Sequence, residues 1–164
     1  MQLHGLIHKL PKSFRHFIAF FVIVLSVGYF TGLLFVNQTD ATHPQGIEEN
    51  YLGNEDVADL DVMKFKKGER EMLTIIHTHI LSMSFIFFLL GGILATTSIN
   101  KKLKSFLMLE PFVSIILTFG GIYLLWSGLL WMKYIVIISG ILMTVCFVLS
   151  AFFILRAALR RQAV

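Results

Sequence analysis

Four apolar runs, each long enough to cross a bilayer, decide what this chain can become. A membrane-spanning helix needs about 20 consecutive, predominantly apolar residues. The first run is Phe17 to Val36 and carries no charge. The second is Met72 to Ile99, whose ionisable side chains are His77 and His79. The third is Ser105 to Trp126, interrupted by Glu110, and the fourth is Tyr134 to Leu155. Lipid offers the backbone no hydrogen bonds, so runs of this length must satisfy themselves as helices. A barrel would need apolar residues to alternate with polar ones, and none of the four runs does so. The expected fold class is therefore all-α: an integral membrane four-helix bundle. It forms one membrane domain over 1–164, with spans at about 17–36, 72–99, 105–126 and 134–155. Only 15% of the residues are charged, against roughly 25% in soluble domains, too few to wet a whole surface.

The charges divide into two groups. Lys9, Lys12 and Arg15 precede the first run, Lys101, Lys102 and Lys104 join the second to the third, and Arg156, Arg160 and Arg161 follow the fourth. Residues 37–71, between the first two runs, hold Asp40, Glu48, Glu49, Glu55, Asp56, Asp59, Asp61, Glu69 and Glu71, nine of the ten carboxylates. Lys and Arg in short loops stay on the cytoplasmic side. This predicts both termini inside and one long acidic loop outside, in a bacterial inner membrane. The pI near 9.3 then reflects topology rather than nucleic-acid binding. The first run is longer than the apolar core of a signal peptide, about 7–15 residues, so an uncleaved anchor is expected. Tyr29, Tyr123, Trp126, Trp131 and Tyr134 are expected as an aromatic belt at the outer interface.

Ionisable residues inside a membrane are costly and tend to face the bundle or a partner. His77 and His79 open the second run. Two residues apart on a helix is about 200° of rotation, so the two rings point to different sides. His77 shares a heptad stripe with Ser84, Gly91 and Ser98, a small, polar face suited to helix contact. His77 is expected to look inward. His79 and Met83 are four apart and offer a nitrogen and a thioether to a soft metal or a haem iron. His43, in the outer loop, is a candidate second ligand. The bland alternative is that each histidine packs and hydrogen-bonds. Single Cys146 excludes an internal disulfide and reads as a buried, inert thiol. Glu110, followed by Pro111, has two readings. One pairs it with His16 in an inner-side relay; the other sets its charge at a helix start with Lys102 or Lys104.

Other signals concern packing. Gly28 and Gly32 form a G-x-x-x-G pair, and Gly120, Gly121 and Gly140 add small faces that allow close helix contact. Leu3, Leu6, Ile7 and Leu10 make one side of an interfacial N-terminal segment that includes His4 and His8. Residues 56–71 are expected to form a short amphipathic helix with Val57, Leu60, Phe65 and Met72 as its apolar side.

The stretch from His77-Thr78-His79-Ile80 through Phe85-Ile86-Phe87-Phe88 to Gly91 resembles the second helix of small four-helix bacterial membrane proteins. Those carry a His-Thr-His-Leu motif before a Phe-rich helix. The resemblance implies the fold and no activity. The same His-x-His opening is similar to haem-ligand helices of haem–copper oxidases and nitric oxide reductases, a match over one helix that implies a b-type haem or copper at His77 or His79, with Met83 and His43 as the further candidate ligands.

Three functions follow as expectations. The first is a haem or metal protein for electron transfer, sensing or metal handling. The second is a non-catalytic accessory subunit of a larger membrane complex, in contact with lipid and with other subunits or itself. The third is a small oligomeric transporter using Glu110 and the histidines as a relay. No G-x-S-x-G, Walker A, His-Glu-x-x-His or Cys-x-x-Cys motif occurs, so a non-enzymatic role is expected.

Overall fold

The computed structural model describes residues 3–55 and 62–160. Among them the regular structure is helical: α1 (Lys12–Gln38), α2 (Pro44–Leu52), α3 (Glu69–Ala95), α4 (Lys101–Ile115), α5 (Gly121–Trp126) and α6 (Met132–Leu159). A π-helical turn, Ile116–Gly120, joins α4 to α5 into one rod. Four helices are long and apolar enough to span a bilayer: Lys12–Gln38, Glu69–Ala95, Lys101–Trp126 and Met132–Leu159. The chain is a multi-pass membrane protein.

The spans start earlier and end differently from the hydropathy runs because charged residues at their ends join the helices. Arg15 is the clearest case. It lies in the first turns of α1 and is only 6% exposed. Its Nε donates to the Ala158 carbonyl at 2.9 Å, and its Nη2 to the Arg160 carbonyl. The last carbonyls of a helix lack intrahelical partners and carry partial negative charge, so this guanidinium caps α6. Lys104 does the same for α3. Its Nζ donates to the carbonyls of Ala95, at 3.0 Å, and Thr97. The second span therefore ends at Ala95 rather than Ile99, and the chain crosses to α4 through Asn100, whose side chain caps the Lys102 N–H.

α6 is the axis of the bundle and packs against α1, α3 and the α4–α5 rod. Its fully buried Phe147 stacks on Tyr29 of α1, centroids 3.9 Å apart, and meets Phe87 of α3 edge-on. Tyr29 also hydrogen-bonds Thr144 at 3.2 Å. It belongs to the core of the bundle and not to an interfacial belt, because its hydroxyl finds a partner on α6.

The N-terminal segment does not lie flat on the interface as expected. A 3-10 turn, Leu6–Lys9, tucks Ile7 fully into the core. Gly5 and Ile7 donate backbone hydrogen bonds to the Thr97 and Thr96 carbonyls beyond α3. Ile7 gains more from the end of the bundle than from a surface, while Leu3 stays 49% exposed.

At the opposite, acidic end the helix of the long loop is α2. The expected helix over 56–71 falls partly outside the described residues; 62–68 has no regular structure, and 69–71 belong to the start of α3. The local signals favour α2: Pro44 at its first turn and Gly53 just past its end. Proline suits a helix start. Gly53 has φ 84°, a conformation that disfavours a side chain. A strap of residues 62–68 returns beneath α2, with Asn54 donating to the Lys64 carbonyl and Lys67 to that of Tyr51. Trp126 clamps the strap by donating from Nε1 to the Lys67 carbonyl at 2.8 Å. Lys133, at the start of α6, pairs with Glu48 at 2.5 Å. The cap is thus tied to the bundle at two places.

Candidate functional site

The histidines of α3 are separated as the helix period requires. The face of α3 that meets the bundle runs through Met72, Phe87, Leu90, Gly91 and Leu94, with Ile76, Ile80 and Met83 packed beside it. That stripe follows the true helix period, alternating steps of three and four. The set 77, 84 and 91 lies one residue, about 100° of rotation, round the helix from 76, 83 and 90. His77 is consequently exposed, contrary to its expected inward position, as are Thr74 and Ser98. Gly91 alone of that heptad set is buried, against Met108.

His79 turns toward the α4–α5 rod. Its ring lies 5.0 Å from that of Phe119, and its Nδ1 sits 2.7 Å from the Ile75 carbonyl one turn back. His43 pairs with Asp40 at 3.6 Å beside α2. Among the described residues no three His, Cys, Asp or Glu side chains converge on a metal position. The haem or copper constellation of His77, His79, Met83 and His43 thus finds no support in the arrangement of these side chains. His79 is itself exposed, and its ring contact is with Phe119.

The polar chemistry within the span is on α4. Glu110 is 9% exposed. Its Oε1 accepts a hydrogen bond from Ser114, one turn on. The carboxyl engages neither His16, which is exposed on α1, nor Lys104, whose amine is committed to the end of α3. Both pairings predicted from sequence give way to one with Ser114, whose i, i+4 spacing is itself readable. Cys146 of α6 is a neighbour of the carboxyl. Glu110 Oε2 still has no hydrogen-bond partner among the described residues, and a thiol is a weak donor. Buried polar atoms are nearly always satisfied, so an orphaned carboxyl oxygen demands a reason.

The surroundings of Glu110 are unusual for a helix. Pro111 has no N–H to offer the preceding turn. Five residues further the rod passes into its π-helical turn. Such turns insert an extra residue into the helix and are frequent at functional sites. This one directs Thr118 toward α6, where its Oγ1 lies 2.7 Å from the Ser139 Oγ, while Phe119 faces α3. Glu110, Ser114, Thr118 and Ser139 form a polar seam between the rod and α6. A groove of about 660 Å³ opens along it, floored by Glu110, Ser114 and Ser139, with Lys102 and Ser105 at the basic end. Its flanks, Leu109, Val113 and Leu117 of the rod and Ile138 and Leu142 of α6, are exposed on the bundle surface. In a bilayer that surface meets lipid.

Helices, cap and seam define a polytopic α-helical membrane protein. Within that class, a family described as a transmembrane helical domain, Aq_1264_TM, matches residues 41–164, and the chain belongs to that family. The match takes in the cap, α3, the α4–α5 rod and α6, and so includes the whole seam. No curated protein and no solved structure matches this chain.

Proposed function

We propose that this protein is a small oligomeric membrane transporter that handles a cation at the Glu110 seam. It sits as one membrane domain in a bacterial inner membrane with its basic end cytoplasmic, the topology that the positive-inside rule favours. The observation that carries the reading is the buried Glu110 carboxyl with an unsatisfied oxygen, flooring a groove between two spans. An intramembrane carboxyl marks a substrate or ion path more often than a structural need. The hydroxyls of Ser114, Thr118 and Ser139 extend its polarity deeper along the seam. Four spans with a groove open to lipid do not enclose a path, so a second copy must complete it.

Flux in proteoliposomes tests this. The wild-type protein is expected to dissipate an imposed cation or proton gradient, Glu110→Gln to abolish the flux, and Glu110→Asp to retain part of it. Flux unchanged in Glu110→Gln, or none from the wild type, overturns the reading.

A second reading, an accessory subunit of a larger complex, is favoured by α1. Gly28 and Gly32 are exposed, and a Cβ added to either would meet nothing within 4 Å. That face suits a helix from outside this chain. Stoichiometric copurification with other membrane subunits, together with an absence of flux, would support it.

A further inference from the structure

The hydrogen-bonding capacity of the groove floor is one-sided. Ser114 gives its O–H to Glu110 Oε1. Ser139 gives its own to the Ile135 carbonyl at 2.7 Å, with that of Val136 at 3.2 Å. Because Ser139 is thus committed as a donor, Thr118 must be the donor in the bond between them. Each hydroxyl has one hydrogen and two lone pairs. The floor is therefore left with acceptors only: lone pairs on Ser114 and Ser139, and the carboxyl of Glu110, with Oε2 unsatisfied. Oε2 is sealed from the surface in this conformation, but the last torsion of a glutamate is broad and two-fold, so a half-turn about it exchanges the two oxygens and leaves either one for the groove. A head group that fits must bring donors. A cationic donor also matches the one carboxyl here, since charge-assisted hydrogen bonds are the strong ones.

The flanks specify the rest of the ligand. They are aliphatic and face lipid: Leu109 is 64% exposed and Ile138 63%. Lys102 stands at the basic end of the groove and repels a cation arriving along the aqueous route. Entry is then sideways, from the hydrocarbon. We infer that the seam binds a long-chain amphiphile whose head is a protonated primary or secondary amine, its N–H groups on Glu110 and the seam hydroxyls and its chain between the rod and α6. This rests on the Glu110 reading of function and names the class of cation.

Equilibrium binding to the full chain in lipid nanodiscs tests it, with empty nanodiscs subtracted. Three probes share a twelve-carbon chain: dodecylammonium offers charge and donors, dodecyltrimethylammonium charge alone, and dodecanol a donor alone. Dodecylammonium is expected to bind saturably, and the other two at least about tenfold more weakly, the factor that losing a charged hydrogen bond brings. Glu110→Gln should weaken dodecylammonium by a similar factor. Val113→Trp, which fills the groove without touching the carboxyl, should abolish saturable binding while its thermal unfolding stays close to that of the wild type. Equal binding of the trimethyl probe, equal binding of dodecanol, or indifference to either substitution overturns the inference. Binding without flux would leave this site standing and remove the transporter. Flux of small cations without binding would do the reverse.

Discussion

Arg15 of α1 reaches the Ala158 carbonyl of α6 at 2.9 Å, so the first span is tied to the last turn of the chain. The two residues are 143 positions apart, and the guanidinium is buried where the bond is made. A hydrogen bond involving a charged group contributes about 1.5–3 kcal/mol. Arg15→Ala should lower the stability of the detergent-purified protein by that amount, read from thermal unfolding. Arg15→Lys should recover only part of the loss, because an ammonium lacks the fork that serves two carbonyls at once. A melting curve unchanged by Arg15→Ala would show that α6 does not need this cap.

The close contact of the rod with α6 predicts opposite behaviour for two glycines. A Cβ on Gly121 would meet Val136 Cγ2 at 2.9 Å and Met132 Cε at 3.3 Å. The methionine can move, but the branched valine cannot, so Gly121→Ala should cost about 1–3 kcal/mol, in the range of overpacking. A Cβ on Gly28 meets nothing within 4 Å. Gly28→Leu should leave the unfolding of the monomer unchanged. If a second helix lies on that face, the substitution should reduce cross-linked dimer, which SDS gels after cross-linking in membranes would show.

The seam bond between Thr118 and Ser139 gives a third test. Thr118→Val keeps the shape and deletes the donor. Ser139 keeps its bonds to the α6 backbone, so the expected loss is about 1 kcal/mol. Thr118→Ser should restore it. In the flux assay Thr118→Val should fall between wild type and Glu110→Gln. A flux equal to the wild type would confine Thr118 to packing.

What the sequence discloses and what it hides have physical causes. The four spans follow from hydropathy because lipid enforces helices wherever about 20 apolar residues run together. The helix ends escape hydropathy where charge turns inward: Arg15 and Lys104 read as solvated loop cations, yet each caps a helix end across the bundle. The helix of the acidic loop lies nearer the first span than expected, although Pro44 and Gly53 mark its limits. Gly46 fixes its seat, since a Cβ there would come within 1.8 Å of the Asp40 carbonyl. A seven-residue stripe points His77 inward, and the actual contact face does not follow that stripe. Glu110 stands out in the sequence as the residue to explain. Its partner does not, because long-range charges are more conspicuous than Ser114 one turn away. The π-helical turn leaves no mark in hydropathy, because it changes register and not composition.

The two α3 histidines should behave differently when replaced. Both are exposed, and His77→Ala should change stability by no more than about 0.5 kcal/mol. His79 loses both its contact with Phe119 and its bond to Ile75 when cut to alanine. His79→Phe keeps a ring there and should be milder than His79→Ala in the same melt. The visible spectrum and metal content of the purified wild type decide against the alternative. A Soret band or stoichiometric copper, lost in either alanine variant, would overturn the account of His79 as a packing ring.

The cap offers a prediction in which two forces are separable. Lys133 and Glu48 form a partly exposed ion pair, at 20% and 31% side-chain exposure, and such pairs contribute about 0.2–1 kcal/mol and weaken with salt. The Trp126 bond to the Lys67 carbonyl is partly buried and neutral, and the Lys66 ammonium stands 5.3 Å over the same indole. Lys133→Ala should therefore loosen α2 modestly at low salt and hardly at all in high salt. Trp126→Phe should loosen the strap at either. Hydrogen exchange across 44–55 and 62–68 reads both. A pH arm follows from Tyr51, whose phenol is pushed above its ordinary value of 10.0 by burial. A raised pKa means the folded cap favours the neutral phenol. Its contribution is complete below pH 10 and is lost as pH climbs through the raised value. Exchange in α2 should accelerate in that alkaline window beyond the intrinsic rise in exchange chemistry. The excess should disappear in Tyr51→Phe; if it persists there, the alkaline loosening comes from another group.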